Sequence, residues 1–275
     1  MQHIKEIKAL IGSGNVENIE LAFVIIQSQG LDKEIFLKAY RILFNLEPDF
    51  EIAANWLSCE IESAMILNLS ARNLETVPKE IEYLINLTVI WLNSNSLQSL
   101  PDAMSNLKKL EALHLGNNQF TEIPKVLFEL DSLHTLSLLG NKIAEISPKL
   151  IKLKNLQHLS LRACGLAQIP FEICQLPNLQ KLDLGENQLS FLPDCIGKLH
   201  KLKALDLDNN KLISLPNTIE HLQQLGELDL SGNSRLSILP DAIKKLENLK
   251  NLRISKCAID ANAISKLLPE TEIWA

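Results

Sequence analysis

From residue 64 onward the apolar positions fall on a fixed grid. Leu87 is followed by Ile90, Leu92 and Leu97, with Asn95 between the last two, and the same frame restarts at Leu110, Leu133, Leu156, Leu179, Leu202 and Leu225, each step being 23 residues. An earlier copy opens at Ala64 and a last one at Leu249, after a single inserted residue, which makes nine copies. The fourth position of the unit is Leu or Ile in every copy, from Leu67 to Leu252, and so is the sixth, from Leu69 to Ile254. Apolar residues two apart describe a strand with one face turned inward. Later in each unit the spacing changes to three, as at Ile196 and Leu199, which predicts a short helical segment. Pro78, Pro101, Pro124, Pro170, Pro193, Pro216 and Pro240 stand where that segment would start, with Pro148 one place late. The first helical turn is where a missing N–H does least harm. One unit cannot bury its own apolar face, so the units must stack into a continuous core.

The frame Leu87-x-x-Ile90-x-Leu92-x-x-Asn95-x-Leu97 resembles the leucine-rich repeat signature, over about residues 64–271. The second half, Leu192-Pro193-x-x-Ile196-x-x-Leu199, is similar to the 23-residue class of many bacterial repeat proteins and of Scribble-like and Ras-pathway scaffolds. The resemblance implies an α/β fold, a leucine-rich-repeat solenoid of nine repeats. Its shape would be a right-handed horseshoe with a parallel sheet on the concave side. It also implies a structural ladder at the ninth position, which holds Asn95, Asn118, Asn141, Asn187, Asn210 and Asn233. A buried carboxamide there can satisfy backbone groups of neighbouring turns that would otherwise cost a few kcal/mol each. Cys164 and Cys257 occupy the same column, which the family tolerates, and Arg72 takes the place in the first unit. A reactive or metal-binding thiol is the sharper alternative for the cysteines.

Two domains are expected, an N-terminal capping bundle over 1–63 and the repeat domain with its C-terminal cap over 64–275. The first 63 residues carry no repeat. Apolar stripes such as Ile4, Ile7, Leu10 and Ile11, with breaks at Gly12-Ser13-Gly14, Gly30 and Pro48, predict an α-helical cap. The segment Asn18 to Phe23 is loosely similar to helical leaders of bacterial repeat proteins, which points to a bacterial source. At the other end Leu267-Leu268-Pro269 and Ile273-Trp274 leave the frame, and Trp274 is expected to act as a lid over the last exposed core.

Composition narrows the function. The chain is 46% hydrophobic and 22% charged over 275 residues, which describes a folded soluble protein. No apolar run is long enough to span a bilayer, and Lys5, Glu6 and Lys8 interrupt the start, so neither a membrane span nor a signal peptide is expected. A cytoplasmic location follows, with secretion by another route left open. The net charge of −6 argues against a nucleic-acid partner. Of that charge, 5 − 10 = −5 falls on residues 1–63, leaving 22 − 23 = −1 for the rest. Five widely spaced cysteines without a CxxC pair argue against a disulfide framework or a structural zinc, and for a reducing compartment. No GxSxG, HExxH or GxxxxGK[ST] motif occurs, and the six histidines share no ligand spacing, so no catalytic residue, metal or cofactor is assigned.

What remains is the outward side of the strands. The third, fifth and seventh positions divide it into zones. Ile66, Val89, Trp91 and His114 make an aromatic and apolar end, Leu139 and His158 follow, and Arg162 and Lys181 make a basic middle. Asp183, Asp206, Asp208, Glu227 and Asp229 make an acidic stretch. These thirteen residues are the candidate partner site. The aligned aspartates have a plainer reading as ordinary repeat consensus, and Trp91 could equally pack against the N-terminal bundle. The expected function is non-enzymatic binding of a protein or peptide on the concave face, by a monomer or weak dimer. Two alternatives stand beside it: an effector that occludes a target enzyme, and a self-associating structural protein.

Overall fold

A computed structural model describes residues 66–275 apart from 78, 84, 85, 144 and 145. The expected helical cap over 1–63 lies outside the described residues. The repeat frame becomes ten strands of three residues each: β1 (Ile66–Asn68), β2 (Val89–Trp91), β3 (Ala112–His114), β4 (Thr135–Ser137), β5 (His158–Ser160), β6 (Lys181–Asp183), β7 (Ala204–Asp206), β8 (Glu227–Asp229), β9 (Asn251–Arg253) and β10 (Glu272–Trp274). They form one parallel sheet in strict sequence order. Register is fixed by the 23-residue step, so each fourth-position leucine lies beside the next, as Leu182 beside Leu205. That column is buried throughout, and its flanking third and fifth positions face outward. This is the solenoid that the repeat pattern predicted, with a tenth strand off the grid.

The return side of each repeat is a 3-10 turn such as Asp102–Asn106 or Asp194–Lys198. Its prolines sit one place earlier than the first helical turn. Pro101, Pro193 and Pro216 are extended residues at the N-cap, and their carbonyls accept the first i→i+3 bonds, from Met104, Ile196 and Ile219. Proline suits the cap because its φ is already correct there and no donor is wanted. Pro148 and Pro170 are the exceptions: Pro148 lies inside its turn, behind the capping Ser147, and Pro170 stands two residues ahead of the N-cap Glu172. Ile196 and Leu199 both point into the core as their spacing requires.

Each of the first nine strands is followed by the same backbone kink. The eighth position of every repeat, namely Ala71, Ser94, Asn117, Gly140, Ala163, Glu186, Asn209, Gly232 and Lys256, has φ between 49° and 76°. The kink swings the ninth residue inward, where the asparagine ladder forms. Asn187 shows the full set: its Oδ1 accepts from the N–H groups of Cys164 and Leu166, and its Nδ2 donates to the carbonyls of Leu161, Leu184 and Gly185. Cys164 and Cys257 stand in the ladder and donate their thiols to Leu138 and Leu230 carbonyls at 3.3 and 3.0 Å. Burial pushes the Cys164 thiol up to about 11 and raises that of Cys257 as well, so neither is a thiolate at neutral pH.

Two expectations are corrected. Cys174 and Cys195 form a disulfide, with their Cα atoms 5.7 Å apart. Cys174 lies four residues past Pro170 and Cys195 two past Pro193. Stacking sets those two positions of successive repeats face to face, as Gly197 and Thr218 show one repeat later. The inference of a reducing compartment rested on unpaired thiols and loses that ground. Trp274 is not a lid. It lies on β10 opposite Arg253 and is half exposed, because strand alternation turns Ile273 toward the core and its neighbour outward. The last core is covered instead by Ile264 and Leu268, on and just past the helix α1 (Ala261–Leu267), whose N-terminus Asp260 caps.

Candidate functional site

The outward sheet face is an array whose rows are the strands and whose columns are the third, fifth and seventh repeat positions. Nearest neighbours in a column stand about 4.8 Å apart. Small side chains at Thr135, Ser137, Ser160 and Ala204 leave a shallow groove of about 300 Å³ across β4–β9. Its floor is the backbone of the sheet, and its far rim carries the carboxylates of β6–β8.

At the β1–β3 end, Ile66 is exposed while Val89, Trp91 and His114 are half-buried. The Trp91 and His114 rings are tilted against each other at 47°, with centroids 6.0 Å apart. Burial lowers the His114 pKa, so the ring is neutral at pH 7. His158 is also lowered, first by burial and then by the charge of Lys181. Leu139, half-buried, leans over Gly116, where an added Cβ would approach it to 3.0 Å.

The basic middle and the acidic stretch are not separate zones. Arg162 lies across the sheet and holds the acidic residues together. Its guanidinium engages Asp208 through Nη1 at 2.7 Å and Nη2 at 2.8 Å. Nη1 also reaches Asp183 at 3.4 Å and Asp206 at 3.2 Å, and Nη2 reaches Glu186 at 2.9 Å. Gly185 makes this contact possible. It stands in the seventh column between Arg162 and Asp208, and any Cβ there would collide with both side chains. Asp208 is buried; burial works against its charge, but the Arg162 hydrogen bond and charge prevail and hold its pKa below the usual carboxylate range.

Each fifth-position aspartate has a second partner in its own chain turn. Asp183, Asp206 and Asp229 accept from the backbone N–H two residues on, those of Gly185, Asp208 and Ser231. Asn68 does the same for Ser70, so the local turn by itself explains why this repeat favours Asp or Asn there. Asp229 also pairs with Arg253 at 3.5 Å, while Lys181 and Glu227 are exposed.

Of the thirteen expected residues, the structure thus joins Arg162, Asp183, Asp206 and Asp208 in one cluster, and Trp91 with His114 in another. Glu186, Gly185 and Ser160 belong to the face but were not singled out by sequence, and Trp274, expected as a lid, belongs to it as well. Ser160 donates to Asp183 at 2.8 Å. The signal for the cluster was present in the seventh column, where a glycine separates Arg162 from Asp208. Among the described residues no three His, Cys, Asp or Glu side chains are grouped to hold a metal ion, and no helix is long and apolar enough to cross a membrane.

Two family models match the chain. One, a leucine-rich repeat region, covers residues 144–269; the other, a leucine-rich repeat, covers 62–120 and 108–166. No curated protein sequence matches it. Among solved structures, a leucine-rich repeat protein of Leptospira interrogans is 40% identical with a TM-score of 0.70, covering 75% of this chain. This chain spans about half, 54%, of that protein's length. The plant peptide hormone receptor RGFR1 in complex with RGF2 is 28% identical, with a TM-score of 0.52 over 72% of this chain and 37% of its own. TLR13 in complex with ssRNA13 is 29% identical, with a TM-score of 0.58 over 69% and 32%.

Proposed function

This chain belongs to the leucine-rich repeat family, and on that premise we propose that it is a non-enzymatic binding module that holds a protein or peptide against the outward face of its sheet. The observation that carries the reading is the groove across β4–β9, which carries the carboxylates of β6–β8 and lies next to the strands β2 and β3 that bear the Trp91–His114 pair. Trp91 is a large aromatic held half-buried by its neighbours, the kind of residue in which interface energy concentrates. From Trp91 to the Arg162 row is three strands, about 14 Å, which an extended peptide of four or five residues covers. RGFR1 with its peptide hormone supports a peptide ligand by analogy. An RNA ligand of the kind named with TLR13 is disfavoured here, because the carboxylates on the face would repel phosphates.

Panning a displayed random-peptide library on the protein tests this. Bound sequences are expected to lose at least tenfold in affinity on Trp91→Ala, with circular dichroism and melting unchanged. They are expected to be indifferent to Phe191→Ser on the flank. Peptides that tolerate Trp91→Ala but are lost on Phe191→Ser would move the site off the sheet. One observation favours self-association as a second reading: Phe191, Ile213 and Ile238, on three successive repeats, are exposed apolar side chains. Light scattering of wild type and Ile238→Ser decides it.

A further inference from the structure

Asp206 occupies the most crowded anionic position on the sheet. Its register partners on both sides are aspartates, Asp183 on β6 and Asp229 on β8. Asp208, two residues on, closes the third side, and Asp206 Oδ1 accepts the Asp208 N–H at 3.0 Å. Glu186 and Glu227 stand beyond these. The cations that face this group are few. Arg162 divides its two η nitrogens among four carboxylates, Arg253 is engaged by Asp229, and Lys181 is exposed on the third column of β6. Arg162 is therefore committed first to Asp208, at the shorter distances, and reaches Asp206 only at 3.2 Å. Four carboxylates around one guanidinium cannot all ionise without cost when their neighbours are carboxylates too. Asp183 lies slightly farther from the cation, at 3.4 Å, but accepts a hydrogen bond from Ser160; Asp206, with an aspartate on each side and a third two residues on, is the one to keep a proton.

We propose that the Arg162 cluster is a proton switch built into the sheet face: between mildly acidic and mildly alkaline solution Asp206 releases one proton, and the surface offered to a partner gains one negative charge. Burial pushes the Asp206 carboxyl up to about 7, and the charges of Asp208 and Asp183 act in the same direction. The protonated state leaves Arg162 matched to Asp208 and Glu186. The deprotonated state adds an anion that Arg162 cannot fully neutralise, so the row β6–β8 attracts cations more strongly. The effect on a partner rests on the binding reading above; the proton release does not.

The sign for stability follows. A carboxyl at about 7 in the folded chain and about 4 in the unfolded one binds a proton on folding between those values. Its contribution to stability is full below about pH 4 and is lost as the pH rises to about 7. Asp208, with a lowered pKa, acts in the opposite sense and only at more acid pH.

Carbon-detected NMR titration of the aspartate carboxyls in the free protein tests the switch without any partner. The resonance that vanishes in Asp206→Asn is expected to titrate with a midpoint near 7. The wild-type melting temperature is expected to fall between pH 5.5 and pH 8, and Asp206→Asn is expected to flatten that fall. A midpoint near 4 for this carboxyl overturns the proposal. So does an Asp206→Asn variant whose melting temperature follows pH as the wild type does. A peptide partner that fails to appear leaves both of these measurements intact.

Discussion

Breaking the Cys174–Cys195 bridge should remove about 3 kcal/mol from the stability of the repeat domain. The bridge joins the return turns of two successive repeats and closes a loop with a sequence separation of 21. Cross-linking a loop of that size restricts the unfolded chain by about 3 kcal/mol, on the loop-entropy account. For a domain of about 200 residues each kcal/mol shifts the melting temperature by about 2–4 °C, so the expected loss is about 6–12 °C. Cys195→Ala is the cleaner substitution, because Cys195 is half-buried while Cys174 packs in the core and would leave a cavity as well. The assay is thermal melting of wild type and Cys195→Ala, each with and without a dithiol reductant, beside a thiol titration in denaturant. Reduction should expose two additional thiols in wild type and lower its melting temperature to that of the variant, which should itself be insensitive to reductant. A wild type that releases two thiols yet melts at an unchanged temperature would refute the reasoning.

Other outcomes follow from the same geometry. Leu182→Ala and Leu205→Ala, each in the buried fourth-position column, should cost about 2–5 kcal/mol in denaturant melts. Cys164→Asn should be neutral or stabilising by about 1 kcal/mol, since a carboxamide can donate to the Leu138 carbonyl as the thiol does and also offers the strong acceptor that Asn187 uses one repeat later. Gly185→Ala should push Arg162 away from Asp208 and cost roughly 1–2 kcal/mol; in the Arg162→Ala background the same change should cost less, because only its contact with Asp208 remains, a coupling that a double-mutant melt reads directly.

The repeat domain was legible because its period is strict. Once Leu87 and Leu110 are aligned, the strand, its inward leucines and its outward columns follow by counting, and the observed strands begin and end at the third and fifth positions. What counting misses is reach. Arg162 meets Asp206 and Asp208 across 44 and 46 residues of sequence, and a column shows which residues are neighbours, not where a long side chain lies down. The disulfide was hidden for a related reason. Positions two and four past the proline face each other only after the turns are stacked, and the strand frame carries no information on that stacking. Trp274 was misjudged because the last strand follows Arg253 by 21 residues rather than 23, so the grid assigned it no face.

The left-handed kink at the eighth position has a consequence for how this protein can change. Ala71, Ser94, Ala163, Glu186 and Lys256 occupy it although glycine or asparagine would sit there with less strain. Each such residue forgoes roughly 1 kcal/mol. The five sites lie in five different repeats, so replacements at them should act almost independently. None of them lines the groove. The chain therefore carries an unused margin distributed along its length. A substitution on the sheet face that alters what is bound, but weakens its own repeat, can be offset by Asn or Gly one turn away. A face on which five of the rows carry their own local compensation is one that selection can retune without first rebuilding the fold.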